Sequence, residues 1–247
     1  MAYMDRGVGV AAGFFSALLV ALGLVGAGWL VGEGIIEGRK ADSHVQVKGL
    51  AERDVKADLA LWPIKFQVTG NDLAQIQARI ETDLQTVQQF LRDSGFTEEE
   101  IQRQSLQIQD FGAGYGGNRP EERYGVSQSV LVRSEKVDQV EGVSRRLGEL
   151  VAQGIVLQQD WNATGPTYVF TRLNEIKPDM LAEATASARE AANQFAEDAA
   201  AELGGIRDAN QGVFVILPRD DVPGSSEQAQ IFKTVRVVST ITYSLEN

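Results

Sequence analysis

Cysteine is absent from the 247 residues of this chain, and histidine occurs only once, as His44. A chain without cysteine forms no disulfide and no thiolate metal site. Hydrolase triads and zinc sites usually use histidine, so both classes are disfavoured. We predict that His44 is a solvated linker residue rather than a ligand, and we expect no catalytic residue, cofactor or bound metal.

Positive charge is also scarce. Lys and Arg number 23 against 34 Asp and Glu, which gives a formal net charge of -11. Nucleic acid and anionic lipid surfaces repel such a chain, and no basic patch offsets the excess. We therefore predict no nucleic-acid partner.

The chain does contain one long apolar run, because residues 7–32 carry no charged side chain. At ~1.5 Å per residue, a helix of this length crosses a hydrocarbon core of ~30 Å with some tilt. We predict a membrane anchor and short linker over residues 1–40, followed by one globular head over residues 41–247. The alternative is a secretory signal cleaved before Gly28, although such signals have a shorter apolar core of about 7–15 residues.

Two glycine pairs in this run have a spacing that lets helix backbones approach each other, namely Gly9 with Gly13 and Gly28 with Gly32. They are candidate packing residues of the anchor, and background composition is the alternative. Positive charges just after the run would, taken alone, place the head in the cytoplasm. Long domains are translocated largely regardless of such charges, and the lack of thiols favours export.

Apolar residues recur every three or four positions in three segments of the head, as in amphipathic helices. These segments are residues 73–91, residues 136–153, and a third that opens at Pro178 and continues to Leu203, before two glycines. The predicted inward face of the third helix is Leu181, Ala184, Ala188, Ala192, Phe195 and Ala199.

Alternation of apolar and polar residues predicts eight strands around these helices. Pro63 inside one of them indicates a sheet edge or a bulge. The order ββαββαββαββ predicts an α+β fold with three long helices on a largely antiparallel sheet. We expect the long strands at 126–132 and 235–243 to leave backbone groups unpaired unless their edges are covered, and symmetric self-association is a common way to cover them. The predicted strands are 45–49, 59–68, 106–111, 124–132, 155–161, 168–171, 213–217 and 235–243.

Four passages, in their order and spacing, resemble the SIMPL domain family, formerly a domain of unknown function. They are VQVKGLAERDVKADLALWPIKFQV, NDLAQIQARIETDLQTVQQFLRDSGFTEEEIQRQSLQI, EATASAREAANQFAEDAAAELGG and TVRVVSTITYSLE. The resemblance covers residues 44–247. It implies a bacterial protein exported to the periplasm and often linked to envelope or oxidative stress. Some relatives assemble into large hollow homo-oligomers, and the family has no established catalytic residues.

A glycine-rich stretch at residues 112–117 matches the pattern GxGxxG, which in phosphate sites opens a helix. Here a proline and a predicted strand follow instead, so we predict a hairpin loop. Because loops often carry recognition, its candidate residues are Phe111, Tyr115, Arg119 and Tyr124.

Two acidic motifs are assigned structural roles. Thr97 and Glu100 have the spacing of a helix capping box, which we favour over a metal-binding acid cluster. Asp220 and Asp221 lack the spacing of an EF-hand calcium loop and are assigned to a surface turn.

The leading interpretation is a structural protein of the bacterial inner membrane, with one span and a periplasmic head. Its partners would be further copies of itself, in a ring or cage larger than a dimer, and the lipid bilayer through residues 7–32. The alternative is a periplasmic binding module for a peptide, lipid or partner protein. An enzyme is the least favoured class, because the usual catalytic side chains are missing.

Overall fold

The computed structural model describes residues 20–30, 32, 43–113, 121–158, 165–223 and 226–246. The chain divides into two compact units. The larger unit is Glu52–Met180 with Phe214–Arg236, and the smaller is Met1–Ala51 with Leu181–Val213 and Val237–Asn247.

Beyond helical residues 20–30, the described residues form four α-helices and nine strands. The mixed α+β class and the antiparallel pairing are as predicted. In chain order, the elements are β1 (His44–Lys56), β2 (Leu59–Gly70), α1 (Leu73–Asp93), β3 (Ile101–Arg103), β4 (Gln107–Asp110), β5 (Tyr124–Ser134), α2 (Val137–Ser144), α3 (Gly148–Ala152), β6 (Thr167–Val169), α4 (Leu173–Asp198), β7 (Glu202–Gln211), β8 (Val215–Pro218) and β9 (Phe232–Glu246).

Among the residues described, no helix is both long and apolar enough to cross a membrane. Most of the predicted anchor, including Gly9 and Gly13, lies outside the described residues. Gly28 and Gly32 have helical backbone, and apart from their own stretch of helix no described atom lies within 4 Å of the place a Cβ would take at either one.

The larger unit contains a five-stranded sheet of order β3-β5-β2-β6, with β4 also paired to β5. Its centre is the antiparallel β2–β5 pair, which runs without a register shift from Ala60 opposite Ser134 to Gly70 opposite Tyr124. Every second side chain therefore points to one face, where the main core forms. The buried strand residues of this core include Trp62, Ile64, Phe66, Val126, Val130 and Val132.

Helix α1 contributes one apolar face to this core, as its periodicity predicts. The Asp72 carboxylate caps its first turn by accepting the Ala74 N–H at 2.8 Å. Beyond the helix end, Gly95 has φ +89°, a conformation that favours glycine and turns the chain toward β3. The buried apolar residues of α1 are Ile76, Ile80, Leu84, Val87, Phe90 and Leu91.

Pro63 lies in β2 at a position where no backbone donor is needed. Gln67 donates to the Val156 carbonyl and Lys65 accepts from Gln158, so odd-numbered β2 residues direct their backbone groups away from β5. On that side β6 pairs only as far as Leu61. Pro63 therefore lies in an inner strand, at a place where none of the described strands pairs with β2 on one side. The strand has no bulge there, because its pairing with β5 is unbroken.

The second predicted helix is wrong as a single element, because it is divided into α2 and α3 by a turn. The Ser144 hydroxyl donates to the Glu141 carbonyl at 2.8 Å, a local bond that competes with the helical ladder. Val140 and Leu150 are buried as predicted, whereas Val151 is 55% exposed.

The predicted limits of the third helix are also wrong. Helix α4 begins at Leu173 and ends at Asp198, so Pro178 lies inside it. Ala200 has φ +53° in the turn that follows, and Leu203 belongs to β7. The two glycines after Leu203 are therefore strand residues. On the inward face the correction is that Ala196 is buried while Phe195 is 57% exposed.

Two strands were missed, and two further predictions are corrected locally. Strands β3 and β7 were not predicted, and of the predicted strand 155–161 only Leu157 forms a bridge among its described residues, to Phe66. Glu100 does accept the Thr97 N–H at 2.8 Å, but the turn it closes leads into β3 and not into a helix.

Candidate functional site

In the sequence, the glycine-rich stretch falls between β4 and β5, which form an antiparallel hairpin and pair from Gln107 opposite Ser127 to Asp110 opposite Tyr124. This confirms the predicted strands on either side. Tyr115 and Arg119 lie outside the described residues, so their proposed recognition role stays a prediction.

Phe111 and Tyr124 lie at the base of this hairpin. The Phe111 ring packs so close to Gly125 that a Cβ there would lie 2.8 Å from it. The Arg123 guanidinium lies 4.8 Å from the centre of the Tyr124 ring and pairs with Asp110 at 3.1 Å. These contacts fix the base of the hairpin.

A cleft of about 560 Å³ opens in the larger unit between β6 and the segment 226–232. Tyr168 forms part of its wall, and burial, with the nearby Glu141 carboxylate, raises the Tyr168 pKa to about 12. The buried Lys233 ammonium holds the segment by donating to the Glu227 carbonyl at 2.6 Å, and it also pairs with the Glu227 carboxylate.

A second cleft in the same unit, of about 660 Å³, is lined by charged residues that are paired with one another. Burial raises the pKa of Asp58, but hydrogen bonds from Thr171 and Arg172 outweigh it and lower the pKa. Lys56 pairs with Asp138 at 2.6 Å. Because these charges largely cancel, the cleft does not concentrate one sign of charge.

The described residues contain no group of three or more Asp, Glu or His side chains that could hold a metal ion. His44 is exposed at the start of β1. Asp220 lies in the predicted turn, where its N–H and carbonyl are both bound by the Gln230 amide.

A third feature is the outer side of β1. The four-stranded sheet has the order β1-β9-β7, with β8 also paired to β9, so β1 ends it. Among the strands that the structure describes, none pairs with the side of β1 that faces away from β9. We call this side, over residues 46–54, the β1 edge.

Five contacts define the register between β1 and β9. Two are backbone bonds, in which Leu245 donates to the Ser43 carbonyl at 3.0 Å and Ala57 donates to the Ile231 carbonyl at 2.8 Å. All five fit one antiparallel register, in which odd-numbered β1 residues bond to β9. The three side-chain contacts are Gln46 with Thr242, Glu52 with Arg236 and Asp54 with Thr234.

Even-numbered residues of β1 therefore direct their backbone groups to the side on which no described strand pairs with them. Successive residues in a strand direct their N–H and C=O to opposite sides, so Lys48, Leu50 and Glu52 present theirs at the β1 edge. Exposure alternates along the strand in the same way, with these residues exposed and Val47, Gly49 and Ala51 buried. Leu50 is 47% exposed.

Neighbouring strands cover both of the long strands for which unpaired backbone groups were a concern. β5 pairs with β2 on one side and with β3 and β4 on the other, and β9 pairs with β1 on one side and with β7 and β8 on the other. On the far side of the four-stranded sheet, β7 contains two register shifts in its pairing with β9. Such irregularities protect an edge from further pairing. The β1 edge is thus the more regular of the two.

These features define an α+β domain with one long sheet edge that is open among its described residues. The chain belongs to the SIMPL family, whose model, described as a protein of unknown function (DUF541), matches residues 45–243. The match includes all of β2 to β8 and nearly all of β1 and β9. This confirms the family inferred from the four passages. No curated protein matches the chain.

Proposed function

We propose that this chain is a structural protein of the cell envelope, anchored in the inner membrane, whose periplasmic head associates with further copies of itself. The observation that carries the proposal is the β1 edge, which is open in the described chain and belongs to a strand of 13 residues. An open edge is a template for pairing with another chain. Symmetric self-association is a common way to cover it.

The N-terminal apolar run supports the anchor. Within its described part, helical residues 20–30, large apolar side chains are exposed on every side, from 61% for Leu22 to 72% for Leu30. A helix that is apolar all round requires an apolar environment, and a bilayer provides one. The absence of cysteine suits an oxidising compartment such as the periplasm.

Repulsion between heads does not exclude assembly. Each chain carries a formal charge of -11, but at physiological salt the Debye length is ~8 Å, so charges farther apart are largely screened. Backbone hydrogen bonds and side-chain contacts at an edge act at shorter range. The assembly beyond a dimer and the role in envelope or oxidative stress rest on the family resemblance.

The proposal is tested by the mass of the full chain in detergent. We expect sedimentation velocity to show a discrete species well above a dimer of 26.8 kDa chains, after correction for bound detergent. A monomer at micromolar concentration would overturn self-association.

The second candidate is a periplasmic binding module. It is favoured by the cleft of about 560 Å³, where the Arg219 guanidinium lies 4.7 Å from the centre of the half-exposed Phe232 ring. A monomeric chain would make this cleft the leading site.

A further inference from the structure

We propose that two copies of this chain pair their β1 strands antiparallel, about a two-fold axis at Leu50. The two four-stranded sheets then continue into each other. This inference rests on the proposed self-association, and it names the surface, the partner and the register.

The backbone geometry permits this pairing without rearrangement. Every hydrogen-bonded pair across such an axis joins two even-numbered residues, and these are the residues whose backbone groups are open at the β1 edge. Leu50 lies opposite the partner's Leu50, and Lys48 opposite the partner's Glu52. Each pair exchanges two N–H to C=O bonds, as in any antiparallel ladder.

The side chains are complementary in this register. Two Lys48–Glu52 contacts of opposite charge flank one contact between the exposed Leu50 side chains, and Gln46 lies opposite the partner's Asp54. Opposite charges and apolar pairs directly across a ladder stabilise it, whereas like charges destabilise it. Glu52 is already bound by Arg236, but a carboxylate has two oxygens and can accept from both cations.

Neighbouring registers are worse. An axis at Lys48 places two lysines opposite each other, and an axis at Glu52 places two carboxylates opposite each other. Axes at Gly49 or Ala51 place the Leu50 side chain opposite Lys48 or Glu52. Only the axis at Leu50 both matches charge and pairs its apolar side chain with another.

The test is a cysteine scan of the full chain in detergent, because a chain without native cysteine reports one introduced thiol at a time. Under mild oxidation we expect Leu50→Cys to form a disulfide-linked dimer, since facing residues in a ladder have Cα atoms ~5.5 Å apart. In the same register, Lys48→Cys and Glu52→Cys place their thiols four residues apart, ~13 Å along the strand, and should not cross-link. Leu73→Cys is the matched control, because Leu73 is 42% exposed on α1.

Exchanging the charges of Lys48 and Glu52 tests the same register if Leu50→Cys fails to fold. We expect Lys48→Glu or Glu52→Lys alone to weaken the dimer about tenfold, because each creates two like-charge contacts, and the double variant to restore it. Cross-linking at Leu50→Cys no greater than at Leu73→Cys, with the multimer intact, would overturn the β1 interface and leave self-association standing. A maximum at Lys48→Cys or Glu52→Cys would overturn the register. A monomer in sedimentation would overturn the proposed function as well.

Discussion

Glu100 shows how a motif can place a contact correctly and still mislead about the element around it. Its carboxylate accepts from Ser134 at 2.6 Å, from the Thr97 N–H at 2.8 Å and from Lys136 at 3.0 Å. Burial raises its pKa, but these hydrogen bonds outweigh burial and lower the pKa to about 2. The spacing of Thr97 and Glu100 predicted their contact. The donors from Ser134 and Lys136 are distant in sequence, so no local pattern could reveal them.

At the residue scale, we predict that the folded state depends on ionised Glu100. Because the pKa is lowered from 4.5 to about 2 on folding, the stabilisation is full above pH ~4.5 and is lost as pH falls toward 2. Glu100→Gln should lower the free energy of unfolding by up to about 3 kcal/mol at pH 7, and by about half as much at pH 3. Urea unfolding at the two pH values measures this.

Glu99→Gln is the matched control, because Glu99 is adjacent and exposed. Its effect should stay within about 0.5 kcal/mol at both pH values. An equal loss for Glu100→Gln at pH 7 and pH 3 would contradict the role of ionisation.

Among the elements, α1 and the long strands could be predicted, because each buries one face and its apolar residues therefore recur at regular spacing in the sequence. β7 could not, since all of its residues are at least partly exposed and no alternation marks it. The alanine-rich α4 was recognised, but its end was set by Ala200 in a left-handed turn, where a glycine signal was expected. The prediction that Phe195 is buried failed for another reason. Its position is on the predicted inward face of α4, but its side chain is exposed.

At the element scale, we predict that Gly49 sets how closely α4 packs on β1. A Cβ at Gly49 would overlap the Ala184 carbonyl oxygen and lie 2.8 Å from the Ala188 Cβ. Gly49→Ala should therefore force the helix outward and lower the free energy of unfolding by about 1–3 kcal/mol. Thermal or urea unfolding measures the loss.

Gly142→Ala makes the same chemical change in α2, where nothing lies within 4 Å of the added Cβ. It should raise stability by roughly 0.5–1 kcal/mol, because alanine is the better helix former. Equal effects of the two substitutions would show that contact with α4 is not the cause.

For the whole molecule, the sequence predicted the fold class and the family but not which strands would be central. Strand periodicity reports which face is buried, and it carries no information about which strand lies on either side. The strands at 126–132 and 235–243 were expected to be open unless something covered their edges, and both are inner strands covered by their neighbours. The open β1 edge is therefore visible only once all pairings are known.

At the scale of the whole molecule, we predict opposite accessibility on the two sides of residues 7–32. In cells whose outer membrane alone is opened, Ser43→Cys should react with a membrane-impermeant maleimide, whereas Ala2→Cys should react only after the inner membrane is lysed. Both thiols are unique in a chain without cysteine. The reverse pattern would place the head in the cytoplasm, and recovery of a mature N-terminus at Gly28 would show that the segment is cleaved.

The position of β9 has a consequence for the order in which the chain can fold. Every strand of the five-stranded sheet lies before residue 170, so that sheet can form while later residues are still being made or threaded through a membrane. β1, β7 and β8 all pair with β9, the last of the described strands. β1 must therefore wait until this strand has been made before it finds its partner. Closing contacts of such long sequence separation is slow, and during that delay both sides of β1 are open.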